Sequence, residues 1–245
     1  MGSNIPKIGT SDIVGCYIGN TEIEKVYLGS DAIYEKSVTP TEKTYTWNYE
    51  LVGDSSYQVN VQDGIISNLT SKSYITLPST LRKTYTPTTF EAVFYFNTGD
   101  LSTWGIYSFG LNLLTNSTGS SPSLRMAATK TNMQGYASMY SGTSSPYQKS
   151  ISTPNDILTD NTNYRMSMIY DKSTSVSNFI LFNVDTEMEI YNGSFNVPDA
   201  VIIASNYLIV GKTDNSPAVN GMSIDLNKSY IKIDGSLIQD ITENT

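Results

Sequence analysis

The sequence contains no histidine and one cysteine, Cys16. Without histidine there is no Ser-His-Asp or Cys-His catalysis, no imidazole-ligated zinc and no haem held by imidazole. A single cysteine cannot close an intrachain disulfide or build a cysteine metal cluster. Charge is also scarce: 15 Lys+Arg and 23 Asp+Glu make up 16% of the 245 residues, where soluble domains carry about 25%. The balance is −8 with few basic clusters, which argues against phosphate neutralisation, and no nucleic-acid partner is expected. The longest apolar run, near Val201–Ala204, is far shorter than the roughly 20 residues that span a bilayer, so no membrane insertion is expected. The opening residues, Met-Gly-Ser-Asn-Ile-Pro-Lys, hold no apolar stretch of signal-peptide type, and synthesis in a cytoplasm is the expectation.

Uncharged polarity takes the place of charge. Ser, Thr and Asn number 32, 28 and 21, about a third of the chain. These side chains compete with helix backbone hydrogen bonds and decorate strands and turns, so the composition leans to β. The 18 tyrosines, against 7 phenylalanines and 2 tryptophans, lean the same way. The length suits one large all-β domain with a small appendage.

The appendage is visible as a repeat. Over residues 1–36, Ile8-Gly9 leads to Ile13, Ile18-Gly19 to Ile23, and Leu28-Gly29 to Ile33, a period of ten. Each copy reads as a short apolar strand, a Gly-containing turn and a second short strand. Strands this short cannot bury an apolar face alone. The arm is therefore either a local hairpin packed on the main domain or an element for docking and oligomerisation. For the second role the candidates are Ile18, Ile23, Tyr27, Leu28 and Ile33.

The wording Glu22-Ile23-Glu24-Lys25-Val26-Tyr27-Leu28-Gly29-Ser30, closed by Ile33-Tyr34-Glu35-Lys36, resembles the N-terminal repeat of structural proteins of tailed bacteriophages of gut bacteria. There the repeat precedes fibre, lectin-like or immunoglobulin-like modules. The resemblance implies a virion component that contacts other virion proteins through the arm and assembles as a homo-oligomer, most often a trimer.

Residues 37–43, Ser-Val-Thr-Pro-Thr-Glu-Lys, are polar, carry Pro and lack periodicity, and are read as a linker. Residues 44–245 then alternate strands with turns. The expected strands are Tyr45–Val52, Tyr57–Val61, Tyr74–Leu77, Phe90–Phe96, Ile106–Leu111, Ser123–Ala127, Tyr136–Tyr140, Tyr164–Tyr170, Phe179–Val184, Met188–Tyr191, Tyr207–Val210, Ser223–Leu226 and Tyr230–Ile233. Two of them, Phe90-x-Ala92-x-Phe94-x-Phe96 and Tyr164-x-Met166-x-Met168-x-Tyr170, alternate cleanly. Phe179–Phe182 is apolar on both faces, the pattern of a central strand covered on both sides. Only Asn155–Asp160 hints at a helical turn. So many short strands in about 200 residues predict a sandwich.

Within this region Asp160–Asp171 resembles the laminin-G/pentraxin signature, with Tyr164-Arg165 standing where that family usually has Trp-His. Phe179–Tyr191 resembles its next hairpin, Leu208–Gly211 its Leu-x-Ile-Gly strand, and Gly221–Leu226 its Gly-x-Ile-Asp closing motif. The resemblance implies an all-β, concanavalin A-like jelly-roll sandwich, preceded here by the β-hairpin arm.

Three features could carry chemistry. Asp185, Glu187 and Glu189 would share one face of an extended strand about 6–7 Å apart, close to what a retaining glycosidase needs. The chain also needs a turn at Val184–Glu187, which would leave the carboxylates straddling it in water. Asn97–Asp100 and Lys212–Asn215 resemble calcium-bearing turns, but Asn, Asp and Gly are also what turns are made of. No catalytic residue, metal or cofactor is therefore expected. For a sugar, the aromatic-rich stretch from Gly99 to Tyr147 offers Trp104, Tyr107, Tyr136, Tyr140 and Tyr147 as stacking candidates, beside loops where binding residues gather. The same rings could equally fill the core. Four Asn-x-Ser/Thr sequons (Asn68, Asn116, Asn192, Asn227) are what chance yields in such a composition. The expectation is a virion structural protein, a head or tail fibre or decoration, displaying a lectin-like domain to surface glycan and not an enzyme. The alternatives are a glycan-degrading enzyme of the same fold or a purely architectural virion protein.

Overall fold

A computed structural model describes residues 43–52, 60–67, 74–76, 84–103, 109–114, 123–128, 133–139, 147–196, 203–204, 207–210, 222–238 and 241–244, and six strands within residues 7–35. Contacts divide the chain into two units, Met1–Glu42 and Lys43–Thr245. Of the expected linker only Lys43 is described; residues 37–42 lie outside the described residues.

The first unit holds three antiparallel hairpins. They join β1 (Lys7–Ile8) to β2 (Ser11–Asp12), β3 (Cys16–Ile18) to β4 (Thr21–Ile23), and β5 (Lys25–Leu28) to β6 (Asp31–Glu35). Their closing pairs are Ile8↔Ser11, Ile18↔Thr21 and Leu28↔Asp31, ten residues apart each time. A glycine follows the first residue of each pair in the sequence, so the repeat and the hairpin coincide. Two-residue connections led by Gly suit the right-handed twist of the flanking strands.

The second unit is all-β. In chain order it comprises β7 (Thr44–Trp47), β8 (Glu50–Val52), β9 (Asn60–Gln62), β10 (Ile65–Ser67), β11 (Tyr74–Thr76), β12 (Thr84–Tyr85), β13 (Thr89–Asn97), β14 (Phe109–Leu114), β15 (Ser123–Ala128), β16 (Met133–Met139) and β17 (Tyr147–Ser152). It continues with β18 (Asn163–Asp171), β19 (Val176–Asn183), β20 (Met188–Asn196), β21 (Ile203–Ala204), β22 (Tyr207–Val210), β23 (Ser223–Ile233), β24 (Ser236–Leu237) and β25 (Ile241–Asn244). One sheet runs β20-β19-β18-β13-β23-β10-β9, with β24 also on β23, and the other runs β17-β16-β15-β14-β22-β11-β8. All pairings among the described strands are antiparallel, giving the expected jelly-roll type of sandwich. The first and last strands, β7 and β25, close on each other as a separate ribbon.

Among the described residues the buried apolar side chains form one cluster, much of it on the inner face of the first sheet. Phe90, Ala92, Phe94 and Phe96 of β13 alternate inward and meet Tyr164, Met166, Met168 and Tyr170 of β18, with Phe179, Leu181, Ile224 and Ile231 beside them. Ile75 of the second sheet joins the same cluster. Each buried Phe or Leu contributes about 1.5–3 kcal/mol of transfer free energy. Trp47, on the first strand of this unit, is buried in the core: its ring meets Phe94 edge-on at 5.8 Å and its Nε1–H donates to Ser229 O at 2.9 Å.

Several expected elements shift. Asn155–Asp160 forms no helix, and the short 3₁₀ turn lies at Leu101–Thr103. Phe179–Phe182 is not covered on both sides. Its strand lies second from the sheet edge, Phe179 and Leu181 are buried, and Ile180 and Phe182 point to the other, half-exposed face. Ser223–Leu226 and Tyr230–Ile233 are two ends of the single strand β23, joined through a bulge. Against β13, Val93 pairs with Tyr230 but Tyr95 pairs with Asp225, so four residues stand opposite Phe94 alone. The Ser229 hydroxyl repairs the interrupted ladder, accepting from Tyr95 N at 3.1 Å and donating to Asp225 O at 2.5 Å. Such a bulge re-aims side chains next to it, here Asn227 and Lys228.

Candidate functional site

The face of the first sheet turned away from the core is where the described residues concentrate polar chemistry. Period-2 alternation decides its membership: because residues 90, 92, 94 and 96 point in, Glu91, Val93, Tyr95 and Asn97 point out. Register then assembles rows across strands far apart in sequence. One row runs Asp225–Tyr95–Arg165–Phe182–Glu189. The next runs Ser223–Asn97–Asn163. Side chains directly opposite on one face lie about 4.5–5.5 Å apart at Cβ, so each row is a continuous surface.

Between these rows and the bulge lies a hollow of about 260 Å³, whose lining includes Tyr95, Asn97, Asn163, Ser223, Asp225 and Lys228 beside the apolar Ile65 and Val184. Its amides are held rigid by a relay. Gly99 N–H donates to Asn97 Oδ1 at 2.8 Å, Asn97 Nδ2 to Asn163 Oδ1 at 2.9 Å, and Asn163 Nδ2 to Asp185 Oδ1 at 2.8 Å. The other Asp185 oxygen accepts from Asn163 N at 2.9 Å. These two bonds, the backbone one first, hold the Asp185 carboxyl below the ordinary carboxylate range. Beside the hollow, the Arg165 guanidinium lies over the Phe182 ring at 4.6 Å from its centroid. Asp225 Oδ1 accepts from Asn227 N at 3.0 Å.

A second hollow of about 330 Å³ opens at the other end of the same face, among Thr89, Glu91, Ile169, Asp171, Lys232 and Gly235. At its side Tyr230 Oη donates to Glu91 Oε1 at 2.8 Å and Lys232 Nζ lies 4.9 Å from the Tyr230 ring centroid. Burial, reinforced by the bond to Glu91, pushes the Tyr230 phenol far up from its ordinary value.

None of the sequence-derived stacking candidates is among these residues. Trp104, Tyr107 and Tyr140 lie outside the described residues. Tyr136 sits on β16 opposite Arg125 and Ser150, and Tyr147 opens β17 opposite Met139, both in the second sheet. In the arm, Ile18 pairs with Thr21, Ile23 with Cys16, Tyr27 with Ala32 and Leu28 with Asp31, while Ile33 falls at a register shift in β6. The three carboxylates do not line one strand. Asp185 is committed to Asn163, Glu187 stands in the turn at φ 55°, and Glu189 lies on β20, where it accepts from Asn192 at 3.3 Å.

The Asn97–Asp100 turn spends its oxygens on its own backbone, Asn97 on Gly99 N and Asp100 on Ser102 N. Lys212–Asn215 lies outside the described residues. Among the described residues no group of three or more potential metal-ligating side chains comes together. The sequence alone does not group Tyr95, Asn97, Asn163, Arg165 and Phe182: Asn97 reads as part of a turn and Phe182 as part of a doubly covered strand. Tyr95 and Arg165 are off-face positions of the two clean alternations, Asn97 and Asn163 adjoin their ends, and Phe182 lies on β19.

No protein-family model and no curated protein matches the sequence. Solved structures do. The enzymatically active domain of tailspike protein 2 of bacteriophage CBA120 is similar at 15% identity, over 79% of this chain and 29% of that one, with a TM-score of 0.47. A legume lectin-like domain from Entamoeba histolytica is similar at 10% identity, over 80% of this chain and 89% of that one, TM-score 0.46. An alginate lyase from Alteromonas sp. 272 is similar at 10% identity, over 76% of this chain and 95% of that one, TM-score 0.43. The chain thus spans under a third of the length of the tailspike structure it matches.

Proposed function

We propose that this chain is a virion structural protein of a tailed phage, a fibre or decoration protein of head or tail, whose sandwich adheres to surface glycan. It is an adhesin and not an enzyme. The observation that carries the reading is the outer face of the first sheet, where a half-exposed tyrosine and a pair of hydrogen-bonded amides line a hollow of about 260 Å³, with an arginine backed by phenylalanine on the strands next to it. Rings that stack and fixed amides that donate and accept are the groups a pyranose engages, and holding them rigid in advance lowers the cost of binding. The arm supports the virion setting: its three hairpins repeat every ten residues, in wording that resembles phage structural repeats. Hairpins of two to five residues per strand are not stable alone, so the arm fits attachment to other virion proteins or to further copies of this chain, as a trimer. Many weak sugar contacts then become useful through multivalency.

The test is retention of the full chain on immobilised bacterial capsular polysaccharides, compared with its Tyr95→Ala variant. Retention that Tyr95→Ala weakens by about tenfold, of the order of one lost stacking contact, supports the reading. Failure of the parent chain to be retained on any surface polysaccharide removes the adhesive role and leaves an architectural one.

A further inference from the structure

We propose that the glycan is acidic, and that Arg165 receives a sugar carboxylate while the same ring rests on Tyr95. This rests on the glycan-adhesion reading above and adds the chemical class of the sugar. Arg165 stands in the centre of the outer-face row, one strand from Tyr95 and one from Phe182. Its guanidinium is spread over the Phe182 ring at 4.6 Å, which orients the planar fork without using any of its N–H donors. Among the described residues it forms no ion pair, and the carboxylates nearest in the row are occupied. Asp225 accepts from Asn227 N at 3.0 Å and Glu189 from Asn192 Nδ2 at 3.3 Å, each two strands away from Arg165. The Tyr95 hydroxyl likewise has no hydrogen-bond partner among the described residues.

An oriented arginine with unspent donors on a sheet face matches an oxyanion that can take two parallel N–H···O bonds. The surroundings favour a singly charged one. Arg165 can pair with one negative charge, and a phosphate dianion would leave its second charge unpaired on a row that already carries Asp225 and Glu189. Tyr95 and Arg165 are directly opposite each other across β13 and β18, a separation of about 4.5–5.5 Å at Cβ. With the guanidinium drawn toward Phe182, on the side away from Tyr95, a pyranose between the two can stack on the phenol while its C6 carboxylate meets the guanidinium. The Asn97–Asn163 pair, one row along, is placed for the hydroxyls of the neighbouring residue. In a chain of net charge −8 this local cation gives selectivity for a carboxylate without general attraction to polyanions.

The experiment uses the full chain and calorimetric titration with trisaccharides of galacturonate, glucuronate and mannuronate, each paired with its carboxyl-reduced neutral counterpart. At least one acidic member should bind about 10- to 100-fold more tightly than its reduced partner. Arg165→Gln should erase that ratio, Arg165→Lys should recover part of it, and added salt should weaken the acidic member alone. Thermal midpoints within a degree or two of the parent show that these variants are folded; a variant that unfolds is replaced by Phe182→Leu, which should reduce the ratio by loosening the guanidinium. If neutral and acidic members bind equally and Arg165→Gln changes neither, acidic recognition is wrong and glycan adhesion stands. If no sugar of either kind binds, both are wrong.

Discussion

At Gly64 a single added methyl group should be costly for its size. It follows Asp63 in the turn between β9 and β10, with φ values of 51° for Asp63 and 77° for Gly64, the left-handed pair that two-residue hairpins demand. Its carbonyl accepts from Leu226 N at 2.9 Å, and the Asn227 side chain reaches across to donate to Asp63 O at 2.7 Å. A Cβ at Gly64 would overlap the Asn227 carboxamide.

Gly64→Ala therefore carries two penalties. Left-handed backbone costs an alanine about 1–2 kcal/mol, and displacing Asn227 forfeits its hydrogen bond, about 1 kcal/mol. The expected loss is about 2–3 kcal/mol in equilibrium urea unfolding of the full chain followed by tryptophan fluorescence. Asn227→Ala alone should cost about 1 kcal/mol. Because it also removes the obstruction, the double variant should cost about what Gly64→Ala costs alone, not the sum. Simple additivity of the two losses would refute the collision and, with it, the claim that the bulge of β23 is locked onto the hairpin beneath it.

Acid should loosen the same sheet. Asp234 accepts from Thr88 Oγ1 at 2.6 Å, Thr89 N at 2.9 Å and Thr88 N at 2.7 Å, Asp171 is held by the Ser173 hydroxyl and amide, and Asp185 by Asn163, so all three carboxyls lie below their ordinary value. Their contribution is complete above the unfolded-state pKa near 4 and is lost as pH falls through the lower native values; urea midpoints should drop below about pH 4, less steeply in Asp234→Asn. At the alkaline end the sign reverses. Tyr230 is raised by burial and by Glu91, so its contribution is complete below about pH 10 and declines above it, a loss that Tyr230→Phe should abolish. Light scattering of the full chain against one beginning at Thr41 tests the arm: a multimer that becomes a monomer assigns assembly to the hairpins, and two monomers would refute self-assembly through them.

The architecture was legible because its strongest signal is local. Phe90-x-Ala92-x-Phe94-x-Phe96 and Tyr164-x-Met166-x-Met168-x-Tyr170 form adjacent strands in full register, and the hairpin repeat of the arm shows in its spacing alone. Elements without side-chain periodicity were lost. Both β12 and β21 are two residues long, and β10 has only three residues, of which Ile66 alone is fully buried, too few to show a period. The reading of Phe179–Phe182 as covered on both faces failed for a physical reason. A strand near a sheet edge can leave apolar residues outside when they have another use, and Phe182 is the platform under Arg165.

The candidate site was illegible for a deeper reason. Alternation tells which residues share a face but never what stands opposite them, and the outer face is made by opposition. Tyr95, Arg165, Phe182 and Asp225 come from four strands, and nothing in their local wording distinguishes them from solvated positions beside a core. Exposed aromatics on loops attract attention because loops tolerate function. A sheet offers something loops do not: neighbours held at fixed spacing by a ladder of hydrogen bonds. The bulge in β23 adds to it, since four residues facing Phe94 bring Lys228 to a hollow that a regular strand would have passed by. If recognition resides there, its geometry is a property of register, and substitutions that shift register should damage binding before they damage stability. Deleting one residue of the bulge, at Lys228, is the sharpest case. It should leave the core pairs Phe90↔Ile233 and Phe96↔Ile224 able to form while disorganising Tyr95 and Asp225 together.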